Sequence, residues 1–178
     1  MMIGITGTPG TGKSTISKHI QIKTGIPVLD LKNTVGNYII EHDTRRDTDV
    51  IDIDAWSLDF KYVDGFVEGS IAHYLPCDKI VVLRCRPDIL RHRLMDRGYT
   101  DHKINENCQA EALDVILSET VNMFESKQIY EIDTTNNNNI ESIVNSVLEF
   151  VDNKISSSFG LIDWSDYLDP NILYYDSR

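Results

Sequence analysis

At 178 residues, 41% hydrophobic and 25% charged, the chain has the makeup of one globular domain with a real core, not of a disordered protein. Its formal net charge of -11 works against nonspecific grip on a nucleic-acid backbone, which needs many Lys and Arg against phosphates. Cys77, Cys85 and Cys108 are odd in number and widely spaced, and they indicate neither a disulfide framework nor a structural zinc site.

No basic leader precedes the first apolar run, and no apolar stretch approaches the ~18 residues of a membrane span. The expected compartment is the cytoplasm, or the nucleus in a eukaryote, with no membrane partner.

In chain order, Met2 to Thr6 is a short apolar run that ends in glycines, as a buried strand feeding a turn does. Ser14 to Lys23 reads as a helix with Ile16, Ile20 and Ile22 on its inward side. Pro27 to Leu31 is a second strand. From Glu41 to Asp54 the chain is polar and charge-dense with no dominant period, and Asp52 and Asp54 cap or solvate a helix beginning near Ala55. After the Asp64-Gly65 turn, Phe66 to Glu68 gives a third strand.

Lys79 to Leu83 is continuously apolar after its first residue, as a central parallel strand should be. Pro87 suits the first turn of a helix that reaches about Asp96 before Gly98 breaks it. Ile104, Cys108, Ala112, Leu113, Ile116, Leu117, Val121 and Phe124 recur at three and four positions, which predicts one long amphipathic helix. Ile129 to Ile132 is a fifth strand. The polar run Asn136 to Asn139 leads to a closing helix marked by Ile140, Ile143, Val144, Val147, Leu148 and Val151. Strands alternating with helices predict an α/β domain with a parallel sheet covered on both faces.

Beyond Ser156, Phe159, Trp164, Tyr167, Tyr174 and Tyr175 stand among Asp163, Asp166, Asp169 and Asp176. Such a segment either folds back on the domain, docks on a partner, or remains an acidic flexible tail.

The chemistry is concentrated in "GTPGTGKST". Gly7, Gly12, Lys13 and Ser14 match G-x-x-x-x-G-K-[ST] between a predicted strand and a predicted helix. Glycines let backbone N–H groups converge on an oxygen-rich ligand, and the helix N-terminus favours its negative charge. Gly7, Thr8, Pro9, Gly10, Thr11, Gly12, Lys13, Ser14 and Thr15 are therefore expected to cradle ATP. Lys13 reaches the β and γ phosphates, Ser14 ligates Mg2+, and Thr15 touches the α phosphate.

Two acids fall at strand ends, where ligands bind in open parallel sheets: Asp30 after the second strand and Glu68 after the third. Either could hold magnesium through water or orient an attacking group. His73 reaches the phosphates or Glu68 if 70–74 is a helical turn, and otherwise packs inside. Arg84, Arg86, Arg91, Arg93 and Arg97 form the densest positive cluster. Arg93 and Arg97 share a helix face, and Arg97 stands just before Gly98, where the chain can cover a nucleotide. Arg45 and Arg46 either grip an acceptor phosphate or pair with Glu41, Asp43, Asp47 and Asp49.

The stretches "GITGTPGTGKSTI", "EGSIAHYLP" and "VVLRCRPDILRHRLMDRGYTDHKINENCQAE" together resemble the adenylate-kinase-like ATPase family that includes the coilin-interacting nuclear ATPase of animals and its archaeal relatives. The likeness runs from Met2 to about Phe150, and Arg97-Gly98-Tyr99 followed by Lys103, Asn107 and Glu111 is more diagnostic than the P-loop alone.

It implies a three-layer P-loop NTPase fold, nucleoside monophosphate kinase-like, with a five-stranded parallel sheet. Residues 1–155 would form the domain, with an acceptor-side insertion at about 32–62 and a short lid at about 97–105, followed by the tail 156–178. It also implies ATP-dependent adenylate kinase activity, ATP hydrolysis and a part in small ribosomal subunit maturation. The partners so implied are AMP or a related monophosphate, a ribosomal protein of the small-subunit platform, and pre-ribosomal RNA through the assembly.

By position, Glu68 would be the Walker-B-like acid and Arg97 the lid arginine. Lys13, Glu68, His73 and Arg97 are the catalytic candidates. Arg93 and Arg97 join the loop in binding nucleotide, Asp30, Arg45 and Arg46 face the acceptor, and Ser14 and Glu68 hold the metal. Two positions depart from the family. Ser70 stands where relatives carry a histidine two residues after the acid, and Gly36 where they can place an acceptor arginine. The expected activity is ATP:AMP phosphotransfer with ATP hydrolysis. The alternatives are a nucleotide-switched ATPase assembly factor and a nucleotide-binding protein without turnover.

Overall fold

Continuously apolar short strands need two faces to bury, and the computed structural model, which describes residues 1–44, 48–136 and 139–168, supplies both. The elements are β1 (Met2–Thr6), α1 (Lys13–Thr24), β2 (Val28–Asp30), β3 (Ile39–Asp43), β4 (Thr48–Ile51), α2 (Ile53–Asp59) and β5 (Gly65–Glu68). They continue as β6 (Lys79–Arg84), α3 (Pro87–Asp96), α4 (Asp101–Ala112), α5 (Val115–Met123), β7 (Ile129–Asp133) and α6 (Ile140–Val151). Five strands form one parallel sheet in the order β2-β5-β1-β6-β7, with β1 at its centre.

The period of two in β1 divides its side chains between the faces. Met2 joins Leu31, Trp56, Val67, Leu75, Val82 and Leu117 on one side. Ile3 and Ile5 join Ile16, Ile20, Val81, Ile143, Val147 and Phe150 on the other, under α1 and α6. A third cluster of Cys85, Leu90, Leu94, Ile104 and Cys108 fastens α3 to α4. All three cysteines are free and buried, and burial pushes the Cys77 and Cys85 thiols up to about 12, which leaves them inert near neutrality.

Three sequence expectations change. Ile22 does not face inward: it is 71% exposed, because the buried stripe of α1 is Ile16, Ser17 and Ile20. The polar stretch after β2 folds as an antiparallel hairpin of β3 and β4, pairing Ile39 with Ile51 and His42 with Asp49 across a bulge. Nearly every residue of this hairpin is exposed, so no buried face imprints a period on the sequence.

The single helix expected over 104–124 is two helices, broken at Asp114 with φ 55°. α4 serves the Cys85–Leu90–Leu94 cluster, whereas Leu117 of α5 packs into the Met2–Leu31 cluster, and one straight rod could not reach both. The break also lets the Asp114 carboxylate pair with Arg84.

Asp52 does cap α2, its Oδ1 accepting from the Ala55 N–H at 3.0 Å. Past α6 the chain returns along the outer edge of the sheet: Glu131 N–H donates to the Ser158 carbonyl at 2.8 Å, and Gly160 N–H to Glu131 Oε2 at 2.7 Å. Phe159 packs against the core, and Trp164 and Tyr167 meet edge to face. Tyr174 and Tyr175 lie outside the described residues. Among the described residues no helix is long and apolar enough to cross a membrane.

Candidate active site

β1 ends at Thr6, and the chain turns through Gly7, Gly10 and Gly12 at φ 143°, 94° and 100° before α1 begins. A Cβ at Gly7 would stand 2.4 Å from the Leu83 carbonyl oxygen, and one at Gly10 2.7 Å from Leu90. Glycine is required there twice over, by conformation and by space. At Gly12 a Cβ would meet nothing within 4 Å, so that side of the loop is open.

The first helical bond of α1 runs from Ile16 N–H to the Gly12 carbonyl at 3.0 Å. The amides of Lys13, Ser14 and Thr15 therefore point out of the helix end without intrahelical acceptors, an arrangement suited to an anion. Lys13 Nζ lies folded over the loop and donates to the carbonyls of Gly7 at 2.7 Å and Thr8 at 3.1 Å. Burial lowers its pKa to about 8; Glu68 and Glu111 oppose that shift, and the charge of Arg97 adds to it.

Register aligns the acids. Glu68 of β5 sits beside Ile5 of β1 and beside Asp30 of β2, so both carboxyl groups reach the same edge of the sheet. Ser14 Oγ donates to Glu68 Oε1 at 3.0 Å. Burial raises the Glu68 pKa, with Asp30 adding to the rise and the Ser14 and Lys13 contacts opposing it. Asp30 Oδ1 accepts from the Lys32 N–H at 2.9 Å and caps a short turn.

A hydroxyl and a carboxylate in contact, with a second carboxylate alongside, are hard oxygen donors of the type Mg2+ takes. Among the described residues there is no three-residue cluster of His, Cys, Asp or Glu able to cage a metal alone. The donor set fits a cation that completes its shell with substrate phosphates and water.

Two cavities flank the loop and meet at Gly10, Gly12 and Arg97. One, of about 250 Å³, lies between Thr15, Ile16, Arg93, Asp96, Thr134, Ile140 and Ile143. The other, of about 300 Å³, lies between Lys13, Ser14, Asp30, Leu31, Val35, Ile51, Glu68, Ser70 and Tyr99. Arg93 is clamped, its guanidinium donating to the carbonyls of Thr134 at 2.8 Å, Thr135 at 3.1 Å and Gly10 at 3.4 Å. Arg97 caps α3 through its backbone, with Gly98 at φ 74° behind it, and its side chain borders both cavities.

The structure thus brings Lys13, Ser14, Asp30, Glu68 and Arg97 to one place, with Arg93 beneath. It does not bring His73 there. His73 is 2% exposed, with Nδ1 at 3.2 Å from Thr6 Oγ1 and Nε2 at 2.9 Å from Glu119 Oε2. Burial lowers its pKa against the pull of Glu119. Neither cavity beside the loop is lined by His73. Ser70 borders the second cavity, and Gly36 opens a turn that does not. Arg45 and Arg46 lie outside the described residues.

The other basic residues of the cluster are engaged elsewhere. Arg84 is buried among Glu111, Asp114 and Glu131, Arg86 pairs with Asp88, and Arg91 donates to Asn105. Sequence reasoning missed Thr134, Ile140 and Ile143 as walls of the first cavity, and Ile51 as a wall of the second, which Tyr99 of the expected lid also lines. The spacing of Ile140 and Ile143 announced only a core, Ile51 lies in a stretch without a period, and no motif marks the loop after β7.

A family model described as "AAA domain" matches residues 3–114. The "Putative adenylate kinase" of Methanocaldococcus jannaschii is 39% identical over 178 residues, covering 93% of this chain and 94% of that one. Its namesake from Thermococcus gammatolerans is 36% identical, covering 98% of each. The chain belongs to the adenylate-kinase-like family. Solved structures agree on the fold of this adenylate-kinase-like chain. Shikimate kinase from Bacteroides thetaiotaomicron superposes with TM-score 0.57 at 21% identity, covering 85% of this chain and 98% of that one. Deoxyadenosine kinase from M. mycoides gives 0.58 at 13%, covering 87% and 100%. The fold is therefore that of the P-loop kinases, nucleoside monophosphate kinase-like, as the sequence resemblance implied.

Proposed function

We propose that the chain transfers the γ-phosphoryl group of ATP to AMP or a closely related nucleoside monophosphate. The observation that carries this reading is the meeting of two cavities at one phosphate loop, with Lys13 on the loop and Arg97 bordering both. A hydrolase needs one nucleotide cavity. A phosphotransferase needs a second one facing the reacting phosphate.

The cavity beside Arg93, Thr134, Ile140 and Ile143 takes the donor nucleoside, and the one beside Asp30, Leu31, Val35 and Tyr99 the acceptor. Lys13 and Arg97 stabilise charge that develops on the transferred group, and the loop amides hold the oligophosphate in line. Ser14 and Glu68 hold Mg2+, which when bound neutralises phosphate charge. The archaeal relatives that bear the name "Putative adenylate kinase" support the choice of AMP. The test incubates pure protein with ATP and Mg2+, with and without each monophosphate, and counts ADP against free phosphate. ADP formed in step with AMP consumption is expected; free phosphate indifferent to AMP would overturn the reading.

A second reading is favoured by one observation. Among the described residues the cations lining the acceptor cavity are Lys13, Lys32 and Arg97, with Gly36 supplying none. Weak grip on an acceptor phosphate suits a slow ATPase whose nucleotide state switches contact with a platform ribosomal protein in small-subunit maturation. Pull-down of such a protein that ignored nucleotide state would count against it.

The lowered Lys13 pKa gives a pH signature. In the free protein Lys13 loses its proton as pH rises through about 8 instead of 10.5. Polyphosphate restores the charged form, so binding takes up a proton wherever the free lysine has lost one. At pH 8 the expected uptake is about half a proton per nucleotide, and above it affinity falls by up to ~10-fold per pH unit. Calorimetry in buffers of different ionisation enthalpy measures this; zero uptake at pH 8 would contradict it.

A further inference from the structure

Glu111 lies in the last turn of α4, 2% exposed, with three donors on its carboxylate. Oε1 accepts from Arg84 Nε at 2.8 Å and from Cys85 N–H at 3.0 Å. Oε2 accepts from the Thr8 hydroxyl. The division is clean: one oxygen serves the β6 end, the other the phosphate loop. Arg84 has Asp114 and Glu131 besides, and donates Nη2 to the Glu111 carbonyl at 3.1 Å, so its pairing does not depend on Thr8.

Thr8 is equally enclosed, 2% exposed. Its carbonyl accepts from Thr11 N–H at 3.2 Å, Thr11 Oγ1 at 2.9 Å and Lys13 Nζ at 3.1 Å. One residue therefore joins a carboxylate on the helix that follows the lid to the lysine of the loop. That helix starts at Asp101 behind a Thr100 cap, and the Lys103 ammonium in its first turn stands 5.3 Å from the centre of the Tyr99 ring.

A loop with glycines at 7, 10 and 12 has conformational freedom that ligand binding must remove, and any restraint already present in the free protein lessens that cost. A hydroxyl donating to a buried carboxylate is charge-assisted and directional. The carboxylate is itself held by Arg84 Nε and the Cys85 amide, both on the β6 side, which anchors it independently of the loop.

We propose that Glu111 is a positioning residue: through the Thr8 hydroxyl it holds the phosphate loop in its nucleotide-receiving shape and ties that shape to the helix behind the Arg97–Tyr99 lid. This rests on the loop being the polyphosphate cradle. Glu111 lines neither cavity; its one hydrogen bond to the phosphate loop is the one from Thr8, and its charge is felt at Lys13.

Thr8→Val removes the hydroxyl with little change of shape and leaves the Arg84 pairings in place; Thr8→Ser restores the hydroxyl. In Thr8→Val the dissociation constant for MgADP and the KM for ATP should each rise about tenfold, with kcat within about threefold, the loss of one hydrogen bond to a charged group. Thr8→Ser should lie within about twofold of the parent in both. Should Thr8→Val lack a cooperative unfolding transition, Thr8→Ala against Thr8→Ser makes the same comparison.

A folded Thr8→Val protein that bound MgADP as the parent does would overturn the proposal while leaving the cradle intact. So would a Thr8→Ser protein as impaired as Thr8→Val, because that pattern reports shape and not the hydroxyl. A parent protein that bound no MgADP would overturn the cradle itself, and this proposal with it.

Discussion

Lys13→Ala is expected to lower kcat/KM for ATP by about 10²- to 10³-fold, the usual cost of removing one preorganised donor aimed at developing charge. The ammonium lies partly buried over the loop, held by the carbonyls of Gly7 and Thr8. Those contacts aim the cation at whatever oligophosphate the amides of residues 13–15 receive. Removing it leaves the glycine geometry, the helix end and the Thr11–Thr8 bonds in place. Residual nucleotide binding should therefore survive while turnover collapses. Because the buried ammonium is held at a desolvation cost, the Ala variant should be no less stable thermally than the parent. Steady-state kinetics beside a melting curve checks both; turnover within about threefold of the parent would remove Lys13 from catalysis.

Arg97→Ala is the second large effect, about 10²-fold in kcat with KM for ATP changed only severalfold. Its backbone N–H closes the last turn of α3 on the Leu94 carbonyl at 3.2 Å, a bond that any residue can make. The side chain instead borders both cavities, and its charge is felt at Lys13. With donor and acceptor seated in the two cavities as proposed, a group between them acts on the transferring phosphoryl more than on ground-state binding, so the loss should fall on kcat. Arg97→Lys should recover part of it, as a point charge without the planar fork. A rise in KM at constant kcat would instead make Arg97 a nucleoside contact.

The parts of the fold legible in the sequence were those with a buried face. β1, β6 and α6 announced themselves because both sides of the sheet are covered, and Gly98 marked a helix end where φ is positive. The hairpin of β3 and β4 was not legible because solvent lies on both its faces. The break at Asp114 escaped because the apolar spacing runs straight through it; at the break the Asp114 carboxylate pairs with Arg84, thirty residues away. A local pattern carries no trace of such a partner.

The site divides in the same way. Lys13, Ser14 and the glycines are contiguous and follow from chemistry at fixed spacing, and Asp30 and Glu68 follow from strand ends. His73 was ambiguous because its partners, Thr6 and Glu119, lie 67 and 46 positions off. Arg84 looked like a member of the basic cluster that includes Arg97. Burial against Glu111, Asp114 and Glu131 makes it a structural cation instead, its pKa raised by those acids against the opposing effect of burial.

Two adenosines joined through five phosphates make a single molecule long enough to enter both cavities across the Gly10–Gly12–Arg97 junction. Its equilibrium titration into the protein with Mg2+, repeated with ATP and then with AMP as competitor, asks directly whether two nucleotide seats share one phosphate loop. The expected result is one molecule bound per chain, displaced by either nucleotide and weakened in Lys13→Ala. Displacement by ATP alone, with AMP inert at any concentration, would contradict the two-seat arrangement.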